Sequence, residues 1–215
     1  AMGSKASADA IEGLRQLMVD VWLGKRMQSY DKGTLTFSDG TSTVTDTVIW
    51  TAGVTGVPFT IERAEAVRGA RWEVDEYNRV KGLDDVYAIG DIALMPSDKY
   101  PHGHPQVAQV AIQQGRNLAR NLSLDEAHRR PFAYRDKGTM ATIGRNRAVV
   151  DAGKLHLSGR TAWWMWLVVH LMSILGMRNR TVVMINWMWN YFTFSTGLRL
   201  LLRPDRYPLR HYWND

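Results

Sequence analysis

Hydrophobic and polar positions alternate at two periods along this chain, and the change between them divides it. Ile11, Leu14, Leu17 and Met18 recur at helical spacing, so residues 8–18 are expected to form a helix and Val19 to Leu23 a short buried strand. Leu35 and Phe37 alternate with polar residues before Ser38-Asp39-Gly40-Thr41, a hairpin turn signal. Val44 to Trp50 reads as the returning strand of a small β-meander. Trp72-Glu73-Val74 suggests another short strand, within a mixed, charged stretch from Pro58 to Leu83 that offers no chemistry.

Val86 to Ile89 reads as an apolar strand running into Gly90-Asp91, followed by a polar loop and a helix expected to open at Pro105. Glycine lacks a Cβ and admits a ligand against the backbone, and the Asp91 carboxylate would accept hydrogen bonds from hydroxyls of a sugar or ribityl chain. The helix would turn its partly positive N-terminus toward the same place, where an electron-rich ring is stabilised. Gln106, Gln109 and Gln113 fall close to one face of it, either lining a cavity or forming a half-exposed polar edge. Downstream, Met140 and Ile143 suit a short strand behind Gly138, which permits close approach. Two apolar runs follow, 161–177 and 182–194. The first would cover about 26 Å as a helix, short of the roughly 30 Å hydrocarbon core, so neither is a convincing span.

Charge sharpens this picture. The net charge of +6 points to an acidic partner. Residues 151–215 hold eight Lys or Arg against three Asp, and six of the nine tryptophans. Basic residues that bracket apolar runs fit helices lying in a bilayer interface, with Arg178, Arg180, Arg199 and Arg203 toward phosphates; the competing reading is a buried hairpin or dimer interface. They do not alternate with aromatics along a polar face, which argues against nucleic acid. Absence of cysteine removes disulfides, thiolate metal sites and dithiol electron relays. His102, His104, His156 and His170 lack the spacing of a helical zinc site, so neither a metal site nor a catalytic triad is expected.

Y-A-I-G-D at 87–91 followed by P-Q-V-A-Q-V-A-I-Q-Q-G at 105–115 resembles the second FAD-contacting segment of type II, non-proton-pumping NADH:quinone oxidoreductases. These belong to the two-dinucleotide-binding-domain flavoprotein superfamily. The Gly-Asp corner is common to the superfamily, whereas A-Q-x-A-x-Q at 108–113 is narrower. The resemblance implies an α/β fold, a partial Rossmann-like flavoprotein with a C-terminal amphipathic, membrane-anchoring helical region. It implies Gly90, Asp91, Ala108 and Gln109 at the flavin, Gln109 and Gln113 as catalytic residues bordering the quinone, and Lys137 and Gly138 in the D-K-G-T-M edge against the flavin ring. Thr51, Ala52 and Gly53 would mark the exit from the NADH-binding domain and count among the cofactor-binding residues, their small side chains letting a cofactor or a neighbouring backbone approach closely.

No G-x-G-x-x-G turn occurs, although the family carries one for FAD and one for NADH, so a C-terminal fragment is expected. The division expected is 1–4 as a tag remnant, 5–57 from the NADH-binding domain, 58–130 from the FAD-binding domain, and 131–215 as the membrane-associating region. FAD, NADH and quinone are the implied cofactor and substrates. A homodimer on the membrane surface through residues 160–203, at the cytoplasmic face of the inner membrane, is the implied setting. The alternatives are a reductase for a soluble acceptor and a non-catalytic attachment or dimerisation module.

Overall fold

The computed structural model describes residues 2–56, 69–174 and 176–193. The chain forms two compact units, residues 1–139 with 151–156, and residues 140–150 with 157–215. The expected boundary at 57/58 and the stretch 194–203, with Arg199 and Arg203, lie outside the described residues.

In the first unit, helix α1 (Ser4–Arg15) ends three residues earlier than its apolar spacing predicts, because Met18 turns to φ +60° and reverses the chain. Val19 to Leu23 forms no strand; Trp22 instead packs edge-on against Phe37, ring centroids 5.7 Å apart. The meander is β1 (Met27–Asp31), β2 (Thr34–Phe37) and β3 (Ser42–Val44), antiparallel in that order. Its first turn is Lys32-Gly33, both at positive φ, the two-residue geometry whose twist matches paired strands. In the second turn Asp39 accepts from the Thr41 amide and hydroxyl, and Lys25 beside it holds the Asp39 carboxyl well below the usual carboxylate range. The returning strand stops at Val44, and Ile49, Trp50 and Val54 stand exposed on irregular chain.

The core of this unit is built from Trp72, Val74, Val80, Ala88, Ala93 and Met95, with Leu83, Ile92 and Phe132 packed against it. β4 (Trp72–Glu73) pairs in parallel with β5 (Ala93–Leu94). Val86–Ile89 forms no full strand, only an isolated antiparallel bridge between Tyr87 and Arg79; the chain then passes through a 3-10 turn at Gly90–Ile92, and strand pairing begins at β5, beyond the Gly-Asp corner. Asn78, fully buried at φ +68°, donates from Nδ2 to the Ala88 carbonyl, so the loop from 75 to 79 anchors the segment entering that corner. Helix α2 (Ala108–Leu122) packs on the 3-10 turn.

Strands β6 (Thr139–Gly144), β7 (Arg147–Ala152) and β8 (Leu155–Ser158) form a three-stranded sheet in chain order, with Ala148, Val149 and Val150 buried. In the second unit α3 (Gly159–Ser173) and α4 (Met177–Thr193) follow. At 1.5 Å per residue they are about 22 and 26 Å long. Among the described residues no helix is long and apolar enough to cross a membrane. Only Ala162 of α3 and no described residue of α4 is buried, which leaves most of their large apolar side chains at the surface.

Candidate functional site

The site begins at Gly90, whose φ of +71° would strain any residue with a Cβ. Such a Cβ would also lie 3.1 Å from that of Ala111. The structure thus gives this glycine a packing reason beside the one read from sequence: the missing side chain lets α2 approach. The Gly90 N–H donates to Gln114 Oε1 at 2.7 Å, and Gln114 is only 1% exposed. Sequence reasoning passed over Gln114, which lies off the Gln106/Gln109/Gln113 face. Asp91 stays exposed, and its backbone carbonyl accepts from Gln106 Nε2 at 3.0 Å, tying the corner to the entrance of α2.

That entrance also differs from expectation. Pro105 lies outside the helix; its carbonyl accepts from the Val107 N–H, and Val107 is the N-cap residue, so the first turn starts at Ala108. Both Val107 and Ala108 are exposed. The positive end of the helix dipole therefore sits at Ala108 and Gln109, one turn nearer to the A-Q-x-A-x-Q motif than the sequence suggests.

Along α2 a column of amides repeats every four residues: Gln109, Gln113, Asn117 and Asn121. Successive members fall on one face. Gln109 donates to the Gly138 carbonyl at 3.0 Å and accepts from the Lys137 N–H at 3.1 Å. Gln113 donates to the Arg135 carbonyl at 2.9 Å and accepts from its N–H at 3.0 Å. Asn121 makes the same two-way contact with Arg130, at 2.8 and 3.0 Å, and Asn117 adds a bond to the Arg130 carbonyl. The helix thus supplies the hydrogen bonds that a neighbouring strand would, and the extended segment 130–138 lies antiparallel along it. Gln109 and Gln113 spend both ends of their amides on backbone, so here they position the chain. Asn117 and Asn121 were not singled out from sequence, although the four-residue spacing was there to find.

Gly138 closes the segment at φ +89°, where a Cβ would overlap the backbone of Asp151 and Ala152. Again the glycine serves close packing of chain on chain. Lys137 is exposed. Thr51, Ala52 and Gly53 are exposed too, and among the described residues no hydrogen bond ties them to the corner.

Beside the segment, His104 is buried in an aromatic box of Tyr100, Phe132 and Tyr134, ring centroids 4.9, 5.3 and 5.6 Å away. Burial lowers its pKa and keeps the ring neutral. Burial and then the Asp136 carboxylate push the Tyr134 phenol up to about 12. His102 is exposed in the loop, whereas His170 stacks on Trp166 and pairs with its carbonyl, and His156 pairs with Asp151.

The pyridine nucleotide-disulphide oxidoreductase family profile matches residues 1–115, and the NDH2 C-terminal domain profile matches residues 137–194. The type II NADH:quinone oxidoreductase Ndh of Mycobacterium tuberculosis is 32% identical over 213 residues, covering 91% of this chain and 44% of its own length. The mitochondrial internal alternative NAD(P)H-ubiquinone oxidoreductase A1 of Solanum tuberosum is 31% identical over 185 residues, 75% of this chain and 37% of its own. Among solved structures, NDH2 of Plasmodium falciparum in complex with NADH superposes with a TM-score of 0.75 at 18% identity, covering 89% of this chain and 55% of that one, a likeness of fold. This chain therefore spans less than half the length of the curated relatives it matches. With one profile over its first half, another over its C-terminal region, and the α/β architecture in common, the chain belongs to the pyridine nucleotide-disulphide oxidoreductase family and resembles its type II NADH dehydrogenases.

Proposed function

We propose that this chain is the C-terminal part of an FAD-dependent type II NADH:quinone oxidoreductase, which passes electrons from NADH to a membrane quinone without pumping protons. The observation that carries the reading is the joined corner: an exposed Asp91 and the exposed start of α2 at Val107 and Ala108, with Gln106 just ahead of the helix bonded to the Asp91 carbonyl. These residues fit a flavin. Asp91 would accept hydrogen bonds from ribityl hydroxyls, and the N–H groups of Ala108 and Gln109 would face negative charge on the ring. Bound FAD would supply the two-electron chemistry. Gln109 and Gln113 would hold the 135–138 edge in register, presenting Lys137 as a positive charge at the acceptor side. Thr51, Ala52 and Gly53 would belong to the exit from the NADH-binding domain.

The C-terminal helices would lie on the membrane surface as a peripheral anchor, with exposed tryptophans at headgroup depth, and the enzyme would act as a homodimer at the cytoplasmic face. Asp91→Ala in a longer chain carrying both glycine turns should raise the FAD Kd about tenfold, the loss of a charge-assisted hydrogen bond. Unchanged flavin affinity would remove Asp91 from the site and the corner from the argument.

A further inference from the structure

The 130–138 segment is gripped from two sides. Backbone groups of Arg130, Arg135, Lys137 and Gly138 bond to the amide column of α2, while Phe132 and Tyr134, alternate residues of an extended chain and so on one face, meet a histidine. His104, 9% exposed, touches both rings and that of Tyr100, which itself lies 5.8 Å from Tyr134. The walls of this box are anchored. Ser97 and Tyr100 exchange backbone bonds of 3.1 and 2.9 Å, the Gly103 N–H donates to the Tyr100 carbonyl at 2.9 Å, and the Phe132 N–H donates to the Glu76 carbonyl at 2.7 Å. Tyr134 lies beside the Asp136 carboxylate, whose Oδ1 accepts from the Gly138 N–H at 2.8 Å. A change at His104 thus reaches the 135–138 edge through one side chain.

Only a neutral imidazole suits the box. An imidazolium carries a proton on both nitrogens, and here Nδ1 is buried with no hydrogen-bond partner among the described residues, so the second proton would lack an acceptor. Of the charges nearby, Arg71, which donates to the His102 carbonyl at 3.3 Å, and Lys99, 5.4 Å from the centre of the Tyr100 ring, are cations that disfavour a third, and Asp136 and Glu76 are exposed. Burial lowers the His104 pKa in the same sense. Another imidazole near the edge is His156, paired at 2.9 Å with Asp151, whose backbone lies against Gly138. We propose that His104 is a positioning residue: its neutral ring locks the 130–138 segment onto α2, and its protonation in mild acid loosens the 135–138 edge. Stability contributed by a ring held neutral in the fold is complete above the ordinary histidine value of 6.5 and is lost as pH falls below it. The consequence for catalysis rests on the function proposed above: reoxidation of the flavin by quinone would be the acid-sensitive half-reaction.

The test follows amide exchange in the 215-residue chain between about pH 7.5 and about pH 5, expressed as protection factors. Protection of the Arg135 and Lys137 amides, which bond to Gln113 and Gln109, should fall at least about fivefold, while amides in the middle of α2 change less than about twofold. That fall should share its midpoint with titration of the His104 ring in NMR. His104→Phe keeps a ring and removes the titration, so protection should become independent of pH; His104→Gln repeats the comparison with a smaller side chain. His156→Gln should keep the wild-type pH dependence. The proposal is overturned by a pH dependence that survives both His104 variants or disappears in His156→Gln, or by a His104 that protonates without any change in protection. The wild-type titration alone decides the matter should neither His104 variant fold. In a flavin-loaded longer chain, acid slowing of reoxidation that His104→Phe removes would extend the result to the reaction; its absence, with the exchange result intact, would count against the proposed function and leave the lock in place.

Discussion

Helix α2 and the α3–α4 pair are of similar length and use opposite chemistry. α2 sets Gln109, Gln113, Gln114, Asn117 and Asn121 against neighbouring backbone with bonds of 2.7–3.2 Å, fixing the Gly90 corner and the 130–138 segment. The α3–α4 pair leaves Trp164, Met188 and Phe192 more than half exposed and is joined mainly by aromatic contacts. Its clearest polar tie is Arg180, which donates to the Ile174 and Met172 carbonyls at the end of α3. Directional bonds give one register. Apolar contact gives a surface ready for another partner. Precision belongs to the part read as bordering the flavin, adaptability to the part read as meeting the membrane.

The largest effect should come from forcing a side chain into the precise region. Gly138→Ala combines a left-handed φ with overlap against the Asp151–Ala152 backbone and should cost about 3 kcal/mol or more in urea unfolding followed by tryptophan fluorescence. Gly153→Ala is the control: its φ is also positive, at +64°, but the space around it is open, so about 1 kcal/mol is expected. Equal costs would mean that backbone conformation alone, and not close packing, demands glycine at 138.

Next comes the buried amide. Gln114→Leu keeps the bulk but leaves the Gly90 N–H without its acceptor, and should cost about 2 kcal/mol in the same assay. No loss would show that the Gly90 corner is held by packing against Ala111 alone.

The chain of amides was half legible in the sequence. Gln109 and Gln113 stood out by spacing, and placing them near a cavity followed from residue type; that their partners are the backbone of 130–138 did not, because an extended segment with no strand pattern of its own announces no partner. The Gly-Asp corner was found as a motif, yet the packing of α2 against its glycine was not, since close approach by a helix and by a ligand leave the same mark in sequence. Val19–Leu23 and Val86–Ile89 look like strands by composition and are not, because a strand is defined by a neighbour that local pattern does not reveal. Both C-terminal helices were readable from their apolar runs. Arg178 and Arg180 were grouped as equivalent, and only geometry separates them.

That separation gives a smaller prediction within the adaptable region. Arg180→Gln removes charge-assisted bonds to the end of α3 and should destabilise the α3–α4 turn by about 1.5 kcal/mol, read as faster amide exchange at the end of α3. Arg178→Gln should leave exchange unchanged and reduce only the salt-sensitive part of binding to anionic vesicles. Identical behaviour of the two variants would return both to a shared role as surface charge.

The central claim is that the amide column on α2 positions the 135–138 edge for the acceptor half of the reaction. Stopped flow separates the halves in a flavin-loaded longer chain that carries Gln109→Leu, with flavin reduction by NADH and reoxidation by a quinone followed at the flavin absorbance. The account predicts reoxidation slowed at least about tenfold, from loss of about 1.4 kcal/mol of positioning, while reduction by NADH changes less than twofold. Equal slowing of both halves, or no slowing of either, would contradict it.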